Sequence, residues 1–297
     1  MHQISESAKV ENGVILGNEV VIGNNVTIKA GTIIQDNVQI GDGAYIDYYS
    51  ILRDNVKIGC HAYIGANSII GEYTTRFCKT RSNSVCHPVC IGKDAVIRSH
   101  SVIYGDVIIG DGFQTGHHVM LRERTKIGNY VSVGSFSNIE SSCSIGNYVR
   151  LHSNVFLGEY TRIDDYVWIF AKVAFTNDPT PPSDKLLETH VHPFAVIATG
   201  AVILPGIQIN QDSLIAAGAV VTKSVDRYMV VAGNPAKCIK DIRNIKSKDS
   251  DKSAYPWRYQ FKRGMPWKEK GFEDWYIELP DKGKAFLNID ETIYVDK

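Results

Sequence analysis

The sequence places an apolar residue at every sixth position over most of its length. Each six-residue unit, here called a hexad, carries this residue, and Thr115 is the one polar exception. A strand alternates inward and outward side chains with period two, so a period of six predicts short strands separated by sharp corners. The series is Ile4, Val10, Leu16, Ile22, Ile28, Ile34, Ile40, Ile46, Leu52, Ile58, Ile64 and Ile70, then Ile91, Ile97, Ile103, Ile109, Thr115, Leu121, Ile127, Val133, Ile139, Ile145, Leu151, Leu157, Ile163, Ile169 and Phe175, then Ile197, Ile203, Ile209, Ile215 and Val221.

A second inward position stands four residues after the first and holds small residues such as Ala8, Val20 and Ser50. The residues between the two positions are rich in Gly, Asn and Asp, which tolerate the positive φ of a tight corner. Three strands per coil of about eighteen residues predict an all-β fold, a parallel β-helix of about ten to eleven coils. Stacked coils bury a continuous core, so residues 1–245 are expected to form this domain without disulfides or metals.

The array is interrupted twice and then ends. Residues 76–90 and 176–196 do not keep the hexad register, and both are expected to be loop excursions from corners of the coil. After a polar linker, residues 246–297 form a C-terminal extension that carries three of the four tryptophans. An uncovered last coil exposes strand edges, so these aromatic residues are expected to cap or flank the coil; a ligand-binding role is the alternative.

Composition removes several classes of function. The chain carries 32 basic and 32 acidic residues, whereas a nucleic-acid-binding protein normally has a basic excess. Neither an apolar leader nor an apolar run of membrane-spanning length is present, so a cytoplasmic protein without membrane insertion is expected. The six cysteines include no Cys-x-x-Cys pair, and no metal is expected at the cluster of Cys78, Cys86, His87 and Cys90.

One predicted corner of the coil collects side chains that could act in catalysis. His117 and His118 take the two corner places of the hexad that begins at Thr115. Residues eighteen apart share a corner, which adds His100 one coil before and Asn154 two coils after. An imidazole can accept a proton near neutral pH, so His117 and His118 are candidates for a general base.

Residues 113–123 (FQTGHHVMLRE), 152–154 (HSN) and 176–182 (TNDPTPP) resemble the hexapeptide-repeat N-acyltransferases of dTDP- and UDP-linked amino sugars. This resemblance implies a left-handed β-helix, transfer of an acetyl group to a sugar amine for surface polysaccharide such as O-antigen or lipopolysaccharide, and a homotrimer with the site between neighbouring chains. It implies His117 as the base, although His118 departs from the usual Asn or Asp and leaves open which histidine acts, or whether an amine needs a protein base at all. Glu123 or Asn154 is expected to orient the base or bind the amine. The substrate contacts that we expect are Arg76, Arg81, Arg98, His100, Arg122, His152, Asn177 and Asp178, with the arginines facing the pyrophosphate.

The last coils show a second resemblance, in residues 204–206 (LPG), 216–223 (AAGAVVTK) and 231–237 (VAGNPAK). In the resembling enzymes these coils bind acyl-coenzyme A, so acetyl-CoA is the expected co-substrate. Small residues let pantetheine approach the backbone, and lysines meet the phosphates. The expected contacts are Ala198, Ala217, Gly218, Ala219, Lys223, Asn234 and Lys237.

Three alternatives remain. A longer acyl donor, on coenzyme A or on an acidic acyl carrier protein, suits the basic stretch 237–248. A noncatalytic scaffold is the alternative of another class. A γ-type carbonic anhydrase on the same fold requires a His-x4-His pair, and no two histidines here are five residues apart.

Overall fold

A computed structural model describes residues 2–80, 88–248 and 252–289. The chain forms two compact units, residues 1–239 and 240–297. Among the described residues, no helix has the length and apolar character needed to cross a membrane. Arg81, Cys86 and His87, which the sequence places in the first excursion, lie outside the described residues.

The first unit is a parallel β-helix of three sheets, consistent with the left-handed class and with the predicted fold. Its three faces have 11, 13 and 11 strands among the described residues. Face 1 consists of β1 (Gln3–Ile4), β4 (Val21–Ile22), β7 (Gln39–Ile40), β10 (Lys57–Ile58), β13 (Cys90–Ile91), β16 (Ile108–Ile109), β19 (Lys126–Ile127), β22 (Ser144–Ile145), β25 (Arg162–Ile163), β28 (His190–Val191) and β31 (Gln208–Ile209). Face 2 consists of β2 (Lys9–Val10), β5 (Thr27–Ile28), β8 (Tyr45–Ile46), β11 (Tyr63–Ile64), β14 (Val96–Ile97), β17 (Gln114–Thr115), β20 (Ser132–Val133), β23 (Arg150–Leu151), β26 (Trp168–Ile169), β29 (Val196–Ile197), β32 (Leu214–Ile215), β34 (Met229–Ala232) and β35 (Lys237–Asp241). Face 3 consists of β3 (Ile15–Leu16), β6 (Ile33–Ile34), β9 (Ile51–Leu52), β12 (Ile69–Glu72), β15 (Val102–Tyr104), β18 (Met120–Leu121), β21 (Asn138–Ile139), β24 (Phe156–Leu157), β27 (Ala174–Phe175), β30 (Val202–Ile203) and β33 (Val220–Val221).

The core follows the hexad. Ile28, Ile46 and Leu52 from the first inward series are fully buried, and so is Val26 from the small series. Where the small position is polar, a backbone carbonyl accepts its hydrogen bond: the Ser50 hydroxyl donates to the Gly65 carbonyl of the next coil at 3.0 Å, and the Ser101 hydroxyl donates to the Arg98 carbonyl of its own coil at 2.8 Å. Each coil thus buries its inward side chains against its neighbours. The Ser50 hydroxyl, although buried, has a hydrogen-bond partner.

The corner positions accept more residue types than the sequence suggested. Positive φ was expected at Gly, Asn and Asp, but Tyr130, Tyr148, Tyr166 and Phe194 also have φ between 56° and 64°. Their rings stack along one corner, with centroids 4.9 Å, 5.5 Å and 5.1 Å apart. Stacking between coils offsets the local cost of the left-handed backbone at these aromatic residues.

Both excursions leave the corner that joins face 3 to face 1, and both differ from the predicted segments. In the first, Thr75–Thr80 form a short helix, α1, and the coil has resumed by Cys90 at β13. The second prediction, 176–196, was too long, because β28 and the start of β29 fall within it. Val191 and Ala195 are fully buried in the two inward positions, so the coil resumes one strand earlier than expected.

The second unit has its own aromatic core. It contains two 3₁₀ turns, Ile242–Asn244 and Trp257–Tyr259, and two helices, α2 (Phe272–Ile277) and α3 (Asp281–Leu287). Trp267 is fully buried, packs edge-on against Phe272 at 5.0 Å, and donates its indole N–H to the Phe261 carbonyl at 3.0 Å. The expectation that these aromatic residues cap or flank the coil stays a prediction.

Candidate functional site

The corner between faces 2 and 3, here called the His117 corner, is continuous from the histidines to the last coils. The His118 N–H donates to the Ser99 carbonyl and the Phe136 N–H to the His117 carbonyl. The same bond recurs in the following coils, ending with Gly200 N–H to Ala171 and Gly218 N–H to Thr199. His117 and Ala217 therefore stand on one edge, five coils or about 24 Å apart.

Thr115, the polar exception in the hexad series, has a backbone role. Its side chain is buried, and its hydroxyl oxygen accepts the Arg98 N–H at 2.9 Å. In the other coils a carbonyl receives the corresponding N–H, and here the paired register of β14 and β17 includes only Val96 and Gln114. This break in the backbone hydrogen-bond ladder immediately precedes Gly116 and His117. Thr115 therefore changes the backbone hydrogen bonding where the corner begins.

His117 is held by a serine on each side. Its Nδ1 lies 2.8 Å from the Ser99 hydroxyl, and its backbone N–H donates to the Ser135 hydroxyl at 3.0 Å. The side chain is exposed, and its Nε2 has no hydrogen-bond partner among the described residues. When Nδ1–H donates to Ser99, the Nε2 lone pair faces solvent, as a general base requires.

His118 is placed for packing. It lies in a stack with His100 at 4.7 Å and Phe136 at 5.0 Å between ring centroids. All three residues have positive φ, and Asn154 continues the column one coil beyond Phe136. The stack holds the His118 ring by its faces and leaves its in-plane nitrogens open, so what distinguishes His117 is the Ser99 hydroxyl at its Nδ1.

Glu123 does not orient His117 within one chain. It lies at the other end of β18, on the corner between faces 3 and 1, where Arg122 Nε donates to its carboxylate at 2.9 Å. Burial has the largest single effect on the pKa of Glu123 and would raise it, but the Arg122 hydrogen bond, a backbone N–H and the charges of Arg122 and Arg124 together lower it. Arg122 also pairs with Glu140 at 3.4 Å, so its charge is already compensated and a pyrophosphate would have to compete for it.

The residues expected to bind the cofactor divide into three groups. Ala217 and Gly218 are exposed on the His117 corner, and a Cβ added to Gly218 would meet no atom within 4 Å. Ala198 and Asn234 follow face 2 strands toward the same corner, whereas Lys223 lies beyond β33 and Lys237 is exposed in β35. Ala219 differs from its neighbours: its side chain is fully buried in the small inward position, so only its backbone could face a bound cofactor.

Parts of the chain are similar to known proteins. Residues 124–159 match the family model of six bacterial transferase hexapeptide repeats, and residues 1–80 match that of the GMPPB C-terminal domain. The chain is a hexapeptide-repeat protein. The 2,3,4,5-tetrahydropyridine-2,6-dicarboxylate N-acetyltransferases of Clostridium perfringens and Staphylococcus aureus are 40% and 37% identical over 79 and 75 residues, 27% and 25% of this chain. The matches span only 31% and 30% of those relatives.

Two solved structures also align with parts of the chain. A UDP-N-acetylglucosamine O-acyltransferase of Moraxella catarrhalis aligns over 84% of this chain and 77% of its own, at 19% identity and a TM-score of 0.37. A serine acetyltransferase of Brucella abortus in complex with coenzyme A aligns over 33% of this chain and 40% of its own, at 33% identity and a TM-score of 0.31.

Two of the substrate residues expected in this hexapeptide-repeat protein lie beside the His117 corner. Arg98 is exposed one coil before Gly116 and forms no salt bridge among the described residues. His152 stacks on Phe170 at 4.6 Å and lies 6.2 Å from Trp168, and burial lowers its pKa. The sequence reading missed Trp168 and Phe170, although Phe170 stands eighteen residues after His152 and so shares its place in the next coil.

The remaining substrate residues belong to the excursions. Arg76 is exposed on α1, and Arg81 lies outside the described residues. Asp178 braces its own loop, because it accepts hydrogen bonds from the Ser183 hydroxyl at 2.6 Å, the Ser183 N–H at 2.7 Å and the Thr180 N–H at 3.0 Å. These bonds, chiefly that from the Ser183 hydroxyl, lower the pKa of Asp178. Asn177 closes the loop through its carbonyl, which accepts the Leu187 N–H.

Proposed function

We propose that this protein is an acyl-CoA-dependent N-acyltransferase that acetylates the amine of a dTDP- or UDP-linked amino sugar. The observation that carries the proposal is the His117 corner, which presents an exposed imidazole and small, open residues along one edge. The N-acetyltransferase names of the partial relatives support the reaction class. The choice of a nucleotide sugar rests on the sequence motifs around the histidines.

Direct transfer fits this geometry. The amine nitrogen attacks the thioester carbonyl, a C–N bond forms, and a tetrahedral oxyanion develops before the C–S bond breaks and coenzyme A leaves as its thiol. His117 Nε2 takes the proton from the attacking nitrogen and returns it to the departing sulfur. In the tautomer whose Nδ1–H donates to the Ser99 hydroxyl, Nε2 is unprotonated and can act in this way.

The distance between His117 and Ala217 along the corner suits an extended acyl-CoA donor. Pantetheine lying along the corner from Ala217 and Gly218 would bring the thioester toward His117. Thr199 and Gly200 leave the first coil open, whereas Lys172 and Phe136 stand on the corner beyond it, so the donor would have to pass beside them. Arg98 is the cation best placed for the pyrophosphate, and the His152, Phe170 and Trp168 rings offer an aromatic surface for the nucleotide base.

A homotrimer is part of the proposal. A closed ring with C3 symmetry would bring the excursions of one chain over the His117 corner of the next. Asp178 and Glu123 of one chain would then lie near the His117 corner of its neighbour, which they do not reach within a single chain. The mass in solution should then be about three times the 33.0 kDa of one chain, as measured by light scattering coupled to size-exclusion chromatography. A monomer at assay concentration would contradict this arrangement.

The activity is tested with acetyl-CoA against a panel of dTDP- and UDP-amino sugars. Released coenzyme A and acetylated sugar should be followed by liquid chromatography, because exposed Cys60, Cys78 and Cys238 would react with a thiol reagent. We expect turnover with at least one amino sugar and none with the matching hydroxy sugar. No turnover with any sugar together with no coenzyme A binding by calorimetry would overturn the enzyme; coenzyme A binding without sugar turnover would overturn only the substrate class.

A further inference from the structure

Face 1 carries a polar cluster that the acyl-transfer proposal does not use. Asp164 follows β25, and His190 and His192 begin and follow β28 in the next coil. Their side chains are only 9%, 14% and 27% exposed. An unpaired buried charge is costly, and these three side chains face one another rather than water.

The three side chains converge on one carboxylate oxygen. Asp164 Oδ2 lies 2.8 Å from His190 Nε2 and 3.6 Å from His192 Nδ1, and all three candidate ligand atoms lie within 4.8 Å of one another. Tetrahedral zinc with bonds of about 2.0–2.1 Å separates its ligand atoms by about 3.3 Å. The two measured distances bracket that value, so small side-chain rotations would admit an ion.

Outer contacts orient the ligand atoms. His192 Nε2 lies 3.3 Å from Gln208 Oε1, which accepts its proton and directs the Nδ1 lone pair toward Asp164. Arg162 Nε donates to the other carboxylate oxygen, Oδ1, at 3.3 Å, which leaves Oδ2 as a single ligand atom. Metal-binding histidines depend on such outer hydrogen bonds to fix their tautomer.

The repeat is altered where the ligands stand. The residue after the inward position on face 1 is glycine in seven coils, and a Cβ at most of these would collide with the next coil, as at Gly146, where Asp165 Oδ1 would lie 2.3 Å away. The glycines are Gly23, Gly41, Gly59, Gly92, Gly110, Gly128 and Gly146. The next two coils replace this glycine with Asp164 and His192, and each of these residues contributes one ligand atom.

We propose that Asp164, His190 and His192 bind one Zn²⁺ ion, with His190 Nε2, His192 Nδ1 and Asp164 Oδ2 as ligands. Two imidazoles and one carboxylate select a first-row transition metal over Mg²⁺ or Ca²⁺, which prefer oxygen ligands throughout. The site joins β25 to β28, neighbours in the sheet between which the chain makes its second excursion. The three side chains leave the fourth tetrahedral position of the ion to water, and the ion would link these two coils on a face separate from the His117 corner.

The test is a titration of the full chain with ZnCl₂ after dialysis against a chelator, followed by calorimetry. We expect one equivalent to bind and the thermal unfolding temperature to rise with bound zinc. His192→Ala and Asp164→Asn should each weaken binding by at least about tenfold, and Gln208→Ala by about tenfold through loss of the orienting bond. His61→Ala is the matched control, because His61 Nδ1 and Asp94 form an exposed pair at 3.6 Å on the same coil domain.

A second measurement does not depend on variants. X-ray absorption of the zinc-loaded wild-type protein should show nitrogen and oxygen neighbours; sulfur neighbours would place the ion at the exposed cysteines and overturn the proposal. It would also be overturned by no stoichiometric binding, by unchanged binding in folded His192→Ala protein, or by equal loss in His61→Ala. Because none of these readouts involves acyl transfer, failure of the zinc site leaves the proposed function untouched.

Discussion

Replacing His117 with asparagine is expected to lower kcat for acetyl transfer by about 10²–10⁴, the usual contribution of a positioned general base. Asparagine keeps a polar atom within reach of Ser99 but cannot take a proton from the amine. The KM for acetyl-CoA should change little, because the donor is proposed to bind five coils away at Ala217 and Gly218. Steady-state kinetics with the amino sugar identified in the panel measure both constants.

Two further variants test whether the loss of kcat comes from the base itself or from residues around it. Ser99→Ala removes the hydroxyl at Nδ1 and should cost about 1 kcal/mol, roughly fivefold in kcat. His61→Asn is the control: His61 is an exposed corner histidine with φ 57°, a conformation that asparagine accepts, and turnover should be unchanged. If His117→Asn retained the wild-type rate, the amine would react without a protein base, and His117 would have only a binding role.

The hexad pattern predicted the fold because each inward position is decided by local sequence. Ile28, Ile46 and Ile64 lie in the core as their spacing requires, and the corner shared by His100, His117 and His118 follows from counting eighteen residues. The same counting places Ala219 in the core, four residues after Ile215. Its neighbours Ala217 and Gly218 are exposed, because a change of one or two residues turns a side chain from the surface to the interior.

Counting eighteen residues per coil could not predict which side chains meet across a corner or an excursion. Glu123 follows His117 by six residues, which is one full strand and turn, so the two stand on different corners and Arg122 becomes the partner of Glu123. Asp164 and His190 are 26 residues apart, a separation that means adjacent coils only when the length of the second excursion is known. The sequence could show that Asp164 and His192 replace glycine, but it could not show that they meet.

The glycine column on face 1 predicts the largest single loss of stability in the coil domain. A Cβ at Gly59 would lie 2.5 Å from Gly92 C, 2.5 Å from Lys93 N and 2.6 Å from Gly92 O. All three atoms belong to the backbone of the next coil, so no side-chain rotation can relieve the contact. Gly59→Ala is therefore expected to lower the free energy of unfolding by about 3 kcal/mol, the upper end for overpacking, as measured by urea denaturation followed by circular dichroism.

Gly200→Ala separates this collision from the cost of backbone conformation. Gly200 has φ 73°, yet a Cβ there would meet no atom within 4 Å, so only the left-handed conformation is penalised, at about 1–2 kcal/mol. Gly59 has no such φ, so its loss should come from the backbone contact alone and exceed that of Gly200→Ala. Equal losses in the two variants, or a smaller loss at Gly59, would mean that adjacent coils separate easily and that coil-to-coil contact does not explain why glycine recurs on face 1.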